Sequence, residues 1–208
     1  MEFKTLIGAA SLQRLLAAPR ESSSPVVLDC RFDLTAPGAG GQAYLAGHIP
    51  TALYVDLNRD LSAPISAASG RHPLPAPQWM AARFEQLGVR ENSQVIVYDE
   101  VNGSFAARAW WLLRWLGHSK AAVLDGGMKA WRAAGGPVES GGTIRPADSV
   151  PSGPARSGSA ARVDPHAVVS SAELVDLLRV TLRLQPELSL LIFRLPTSTA
   201  PPQQPHKQ

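Results

Sequence analysis

At 208 residues, with 45% apolar and 18% charged side chains, the chain is long enough for one ordinary domain and part of another, and it can bury a sizeable core. Its formal net charge of +3 comes from scattered residues without runs, which gives a nucleic-acid or membrane-surface role little electrostatic support. Cys30 is the only cysteine, which excludes an internal disulfide framework and any metal site built on several thiolates.

Thr5-Leu6-Ile7 is a short apolar run, and Leu12, Leu15 and Leu16 then predict a helix from Ala10 to Ala18 that Pro19 stops. Val26-Val27-Leu28 reads as a strand buried on both faces, ending in Asp29-Cys30-Arg31. Gly38, Gly40 and Gly41 predict a flexible loop ahead of a short helix, Ala43 to Ala46, and Leu53-Tyr54-Val55 a brief strand. Asn58 to Pro77, rich in proline, reads as a long connection. Trp79 to Leu87 predicts a helix closed by Gly88, and Val95 to Tyr98 the next strand. Ser104 is the expected cap of a helix from Phe105 to Leu116, ended by Gly117. Ala121 to Leu124 completes the strands, and Gly126-Gly127 turns into a helix from Met128 to Ala134. Strands alternating with helices at this spacing predict an α/β domain around a largely parallel sheet.

From Gly136 to Pro165 glycine, proline, serine and alanine dominate, the composition of a linker. Val169-Ser170-Ser171-Ala172-Glu173-Leu174-Val175-Asp176-Leu177-Leu178 then repeats the layout of Ile7 to Leu16, as if the first domain began again. A chance match between short helical patterns is the competing reading. After Arg179 only an apolar stretch, Leu188 to Phe193, and a Pro/Gln-rich end from Pro196 to Gln208 follow. These cannot build the remaining strands and helices, so a poorly ordered tail is expected.

Tyr44-Leu45-Ala46-Gly47-His48-Ile49-Pro50-Thr51-Ala52 resembles a signature of rhodanese-type sulfurtransferases, with Thr51 in place of a second glycine. Val97-Tyr98-Asp99, the segment Gly103 to Trp111, and Leu124-Asp125-Gly126-Gly127-Met128-Lys129-Ala130-Trp131 resemble the non-catalytic first half of the two-domain thiosulfate and 3-mercaptopyruvate sulfurtransferases. The resemblance implies a rhodanese-like domain over 5–135, with a central, mostly parallel five-stranded sheet flanked by helices. A linker over 136–166 and the truncated start of a second rhodanese-like domain over 167–208 would follow. It further implies sulfur transfer from an anionic donor, thiosulfate or 3-mercaptopyruvate, to a thiol or cyanide acceptor through a cysteine persulfide, with no cofactor and no metal. That cysteine belongs to the second domain, in a loop between strand and helix whose N–H groups cradle anions. Here Asp99 occupies the loop position, and a carboxylate cannot carry sulfane sulfur. Beside Glu100 it is also expected to repel anionic donors.

No catalytic residue is therefore expected in this chain, which should be inactive alone unless a partner supplies the cysteine-bearing half in trans. A non-catalytic rhodanese-like interaction or regulatory module is the alternative. A phosphatase or arsenate reductase relative is disfavoured by the missing loop cysteine. Cys30, at the end of an apolar strand, reads as a small buried hydrophobe. Asp29 and Arg31 read as loop anchors and His48 as a hydrogen-bonded turn anchor. Trp111, Trp115 and Trp131 read as core. Arg108 is the one weak substrate-binding candidate, with a structural pairing to Asp99 or Glu100 as the favoured reading. No apolar run approaches the ~20 residues needed to span a bilayer, and the cytoplasm is the expected compartment. An apolar face left uncovered on the first domain is expected to promote self-association.

Overall fold

The computed structural model describes residues 2–18, 24–67, 69–100, 102–142, 163–164, 167–170 and 172–177. The chain divides into two units, Met1–Asp164 and Pro165–Gln208.

The first unit is built on five strands: β1 (Leu6–Ile7), β2 (Val26–Asp29), β3 (Leu53–Tyr54), β4 (Val95–Tyr98) and β5 (Ala121–Leu124). They form one sheet in the order β1-β5-β4-β2-β3, with every pairing parallel. Parallel strands need crossover connections, and the helices that make them cover the faces. This is why the central strands are apolar without alternation. All four residues of β4 are buried, and Leu28 lies in register with Val97. Ile7, Leu12, Val27, Ile96, Leu124, Met128 and Trp131 form one contiguous core cluster.

The helices are α1 (Ala9–Ala17), α2 (Ala39–Ala46), α3 (Leu57–Asp60), α4 (Pro77–Gln86), α5 (Ser104–Trp115) and α6 (Gly127–Ala133). Three differ from expectation, each for a physical reason. The glycines expected to loosen a loop instead lie within α2, with Gly40 and Gly41 buried. A Cβ on Gly40 would sit 2.0 Å from the Arg31 carbonyl oxygen, so this glycine permits close approach of α2 to the segment after β2. The long connection holds the single turn α3, capped by the Asp56 carboxylate, which accepts the N–H groups of Asn58 and Arg59 at 2.9 and 3.0 Å. Ser104 does not cap α5. The N-cap is Gly103, in the left-handed region at φ 83°, and Ser104 is the first helical residue.

Trp131 is fully buried and Trp115 nearly so, whereas Trp111 is half-buried and stacks on Trp115 with ring centroids 5.7 Å apart. After α6 the chain stays docked. Glu139 exchanges two backbone hydrogen bonds with His48, at 2.8 and 2.9 Å, and the Gly141 N–H reaches the Leu45 carbonyl at 2.7 Å. The opening of the segment read as linker is thus part of the domain surface, while its middle, 143–162, lies outside the described residues.

In the second unit residues 172–177 are helical. Ser170 and Glu173 form a reciprocal cap: the Ser170 N–H donates to Glu173 Oε2 at 2.7 Å and the Glu173 N–H to Ser170 Oγ at 3.2 Å. The Leu174 N–H meets the Ser170 carbonyl just as the Leu12 N–H meets that of Gly8. The repeat noted in the sequence therefore starts its helix at the matching residue. Burial differs, since Leu12 is fully buried and Leu174 is 51% exposed. The apolar stretch Leu188 to Phe193 and the Pro/Gln-rich end lie outside the described residues.

Two outcomes follow for stability. Thr51 is held at φ 66°, a conformation that disfavours a β-branched residue, and its N–H donates to Glu139 Oε2 at 3.1 Å. Thr51→Gly is expected to raise stability by about 1 kcal/mol, read as an increased urea midpoint at unchanged slope. Burial pushes the His118 imidazole below its usual pKa, while its Nε2 lies 2.9 Å from the Ser93 carbonyl. A depressed histidine stabilises the fold above its unfolded pKa, so stability should fall as pH drops below about 6.5, and His118→Gln should flatten that loss in thermal melts.

Candidate functional site

Along the sheet, the connection after β2 leads to β3 on one side and that after β4 leads to β5 on the other. The crevice beyond the carboxyl ends of β2 and β4 is therefore the switch point at which α/β sheets place ligands. Asp29-Cys30-Arg31 leaves one strand there, and Asp99-Glu100 leaves the other.

Asp99 is 2% exposed. Its Oδ1 accepts the Gly103 N–H at 3.0 Å, and Oδ2 accepts those of Phe105 and Ala106 at 3.1 and 3.2 Å. These are the donors a helix start leaves without intrahelical partners, at the positive end of its dipole. The carboxylate thus occupies the cradle that an external anion would need. Its backbone carbonyl accepts the Met128 N–H at 2.8 Å, so the same residue also seats the start of α6.

Glu100 does not act as a free repelling charge. Its Oε2 lies 3.2 Å from Arg31 Nη1 and its Oε1 2.6 Å from Arg132 Nη1. The buried Arg31 guanidinium grips Asp29 with Nε at 3.0 Å from both oxygens and Nη2 at 2.6 Å, and it donates to the Gly47 carbonyl at 2.8 Å. Burial opposes the charge of Arg31, but the hydrogen bonds and charge of Asp29 outweigh it and raise its pKa. Tyr98 completes the group by donating its hydroxyl to Asp29 Oδ2 at 2.7 Å. Anion exclusion here comes from occupancy of the cradle, not from an unpaired acid at its mouth.

Cys30 is buried, with only a 3.9 Å contact from Sγ to the Leu28 carbonyl. Burial pushes its thiol well up, and the nearby carboxylates of Asp29, Asp99 and Asp60 push the same way. A thiol held protonated out of solvent is a poor nucleophile. His48 is an anchor: Nδ1 lies 2.8 Å from the Tyr44 carbonyl and the ring stacks on Tyr44 at 4.0 Å.

Arg108 pairs with neither Asp99 nor Glu100. Its Nε donates to the Leu61 carbonyl at 3.0 Å, and Nη2 donates to the carbonyls of His72 and Pro73 at 3.1 and 3.2 Å. Burial lowers its pKa, as expected for a cation whose acceptors are neutral. The favoured sequence reading of this residue is corrected accordingly: it clamps the 61–73 loop.

That loop walls a cavity of ≈ 360 Å³ whose lining includes Phe32, Leu34, Asn58, Ile65, Arg71 and His72. His72 Nε2 lies 3.0 Å from Asn58 Oδ1, and burial followed by the charges of Arg108 and Arg71 lowers the imidazole pKa. Phe32 packs edge-on against both His72 and Phe105, linking this wall to the first turn of α5. Sequence reading missed Asn58, Arg71 and His72, which sit in an irregular stretch without periodicity. Among the described residues, no group of three or more His, Cys, Asp or Glu could hold a metal ion, and no helix is long and apolar enough to cross a membrane.

Residues 10–134 match the family model described as the Rhodanese-like domain. The chain belongs to this family. Its rhodanese-like domain is 48% identical over 136 residues to a Pseudomonas aeruginosa protein named "Probable 3-mercaptopyruvate sulfurtransferase", covering 64% of this chain and 48% of that one. The thiosulfate/3-mercaptopyruvate sulfurtransferase 2 of Arabidopsis thaliana is 44% identical over 99 residues, 48% of this chain and 28% of the relative. Among solved structures, SseA from Escherichia coli, a 3-mercaptopyruvate sulfotransferase, matches with a TM-score of 0.64 at 31% identity, covering 83% of this chain and 61% of SseA. The chain spans about half the length of the first curated relative.

The rhodanese-like loop makes one outcome sharp. Asp99→Ala removes one charged acceptor from three N–H groups and is expected to cost about 2 kcal/mol in urea denaturation, with Asp99→Asn losing less.

Proposed function

We propose that this chain serves as the non-catalytic half of a sulfurtransferase of the thiosulfate/3-mercaptopyruvate type and does not transfer sulfur by itself. The observation that carries this reading is the Asp99 carboxylate, which satisfies the three loop N–H groups and stands where a persulfide-forming cysteine would be needed. Cys30 offers no substitute, because it is buried and protonated.

In this reading the nucleophile comes from another rhodanese-like domain. Its thiolate attacks the sulfane sulfur of the donor, forms a persulfide and releases sulfite from thiosulfate or pyruvate from 3-mercaptopyruvate. A thiol or cyanide then takes the outer sulfur. This chain contributes a folded platform and a cavity wall bearing Arg71 and His72, while Arg108 serves indirectly by holding the loop that carries them. The likeness to named sulfurtransferases supports the reaction class. The second unit supports a tandem arrangement, since its helix repeats the start of α1 with the same cap position.

A second reading, a rhodanese-like interaction module without a catalytic role, draws on the apolar cavity rim, where Leu34 and Ile65 are exposed. One assay separates the two. The purified chain is expected to form no thiocyanate from thiosulfate and cyanide, and addition of a cysteine-bearing rhodanese-like half from a relative should yield turnover above that half alone. No gain in trans would leave the interaction module as the better account. A cyanide-labile persulfide on Cys30 of the isolated chain would falsify the proposal.

A further inference from the structure

The cavity rim carries features that the proposed chemistry leaves unused. Ile65 is the most exposed large apolar side chain in the first unit, at 69%, and Leu34 on the facing segment is 47% exposed. Both line the ≈ 360 Å³ cavity, so one patch carries a protruding apolar knob beside a recess walled by Phe32 and His72. The patch is also charged with both signs. Arg71 is exposed and has no acidic side chain within ion-pair distance among the described residues. Asp33, next to Leu34, is exposed, and its Oδ1 accepts the Thr35 N–H and hydroxyl at 2.7 and 2.6 Å. Its Oδ2 takes no hydrogen bond among the described residues.

We infer that this patch pairs with the same patch on a second copy of the chain around a two-fold axis. An isologous interface requires a surface complementary to itself, in which each contact occurs twice. A knob and a recess on one patch, flanked by one unpaired cation and one anion, meet that requirement. Ile65 of each copy enters the cavity of the other, and Arg71 of each faces Asp33 of the other. An apolar centre with charged residues at its rim is the anatomy of a specific interface, and an exposed apolar cluster at a concave site is uncommon on a surface with no partner. A charged rim fixes register and orientation more than it adds affinity. This pairing does not depend on the sulfur-transfer reading.

The test is molar mass in solution, by sedimentation equilibrium on the purified chain from low micromolar to near-millimolar concentration. The mass is expected to rise from one copy to two and to stop there. Ile65→Asp should keep the mass at one copy throughout, with an unchanged circular dichroism spectrum because the side chain is exposed. Arg71→Asp should weaken dimerisation at least tenfold, and the double variant Asp33→Arg with Arg71→Asp should restore it. A single-copy mass at every concentration, a dimer indifferent to Ile65→Asp, or failure of the charge exchange to restore pairing overturns the inference.

Discussion

Two helices of the first unit begin on one residue. The Asp99 carboxylate receives three N–H groups at the start of α5, and its backbone carbonyl receives the Met128 N–H at the start of α6. Helix starts carry unpaired donors and partial positive charge, so a buried acid at the end of a central strand can satisfy them at little cost to itself. The closeness of the fit shows at Gly127, where a Cβ would lie 2.1 Å from the Asp99 carbonyl oxygen. The same acid that orders these elements leaves the loop without donors for an external anion. Stability and lack of nucleophilic chemistry thus share one cause.

Charge at the carboxyl ends of β2 and β4 is arranged in the same spirit. Arg31, buried between strands, is held by Asp29, Glu100 and the Gly47 carbonyl, and Glu100 is shared with Arg132 on α6. A buried cation would be costly alone, and the network supplies enough acceptors to keep it charged. It ties the segment after β2, the turn after α2, the loop after β4 and α6 into one rigid rim. The open cavity lies beside that rim, where its polar groups, Asn58, Arg71 and His72, come from one irregular segment.

Much of the fold was legible in the residues. The apolar runs of β2, β4 and β5 lack alternation because both faces of a parallel sheet are covered, and they were readable as such. The Gly-His-Ile-Pro segment and the Leu-Asp-Gly-Gly turn pointed to the right family. Where reading failed, it failed on contacts distant along the chain. Gly40 and Gly41 looked like loop glycines, yet they lie in α2 because the Arg31 carbonyl, nine residues earlier in sequence, leaves no space for a side chain. Arg108 looked like a partner for acids a few residues away, yet its guanidinium reaches backbone carbonyls at residues 61, 72 and 73.

By itself the sequence determined the fold class, the family and the lack of a thiol in the loop after β4, since these rest on local pattern and on which side chains exist. Only the tertiary structure decided that Asp99 fills the cradle, that Glu100 is neutralised by two arginines, and that Arg71 and His72 line a cavity. Hydrogen bonds and ion pairs act over a few ångströms, and which groups come within that range depends on how the sheet brings together segments tens of residues apart.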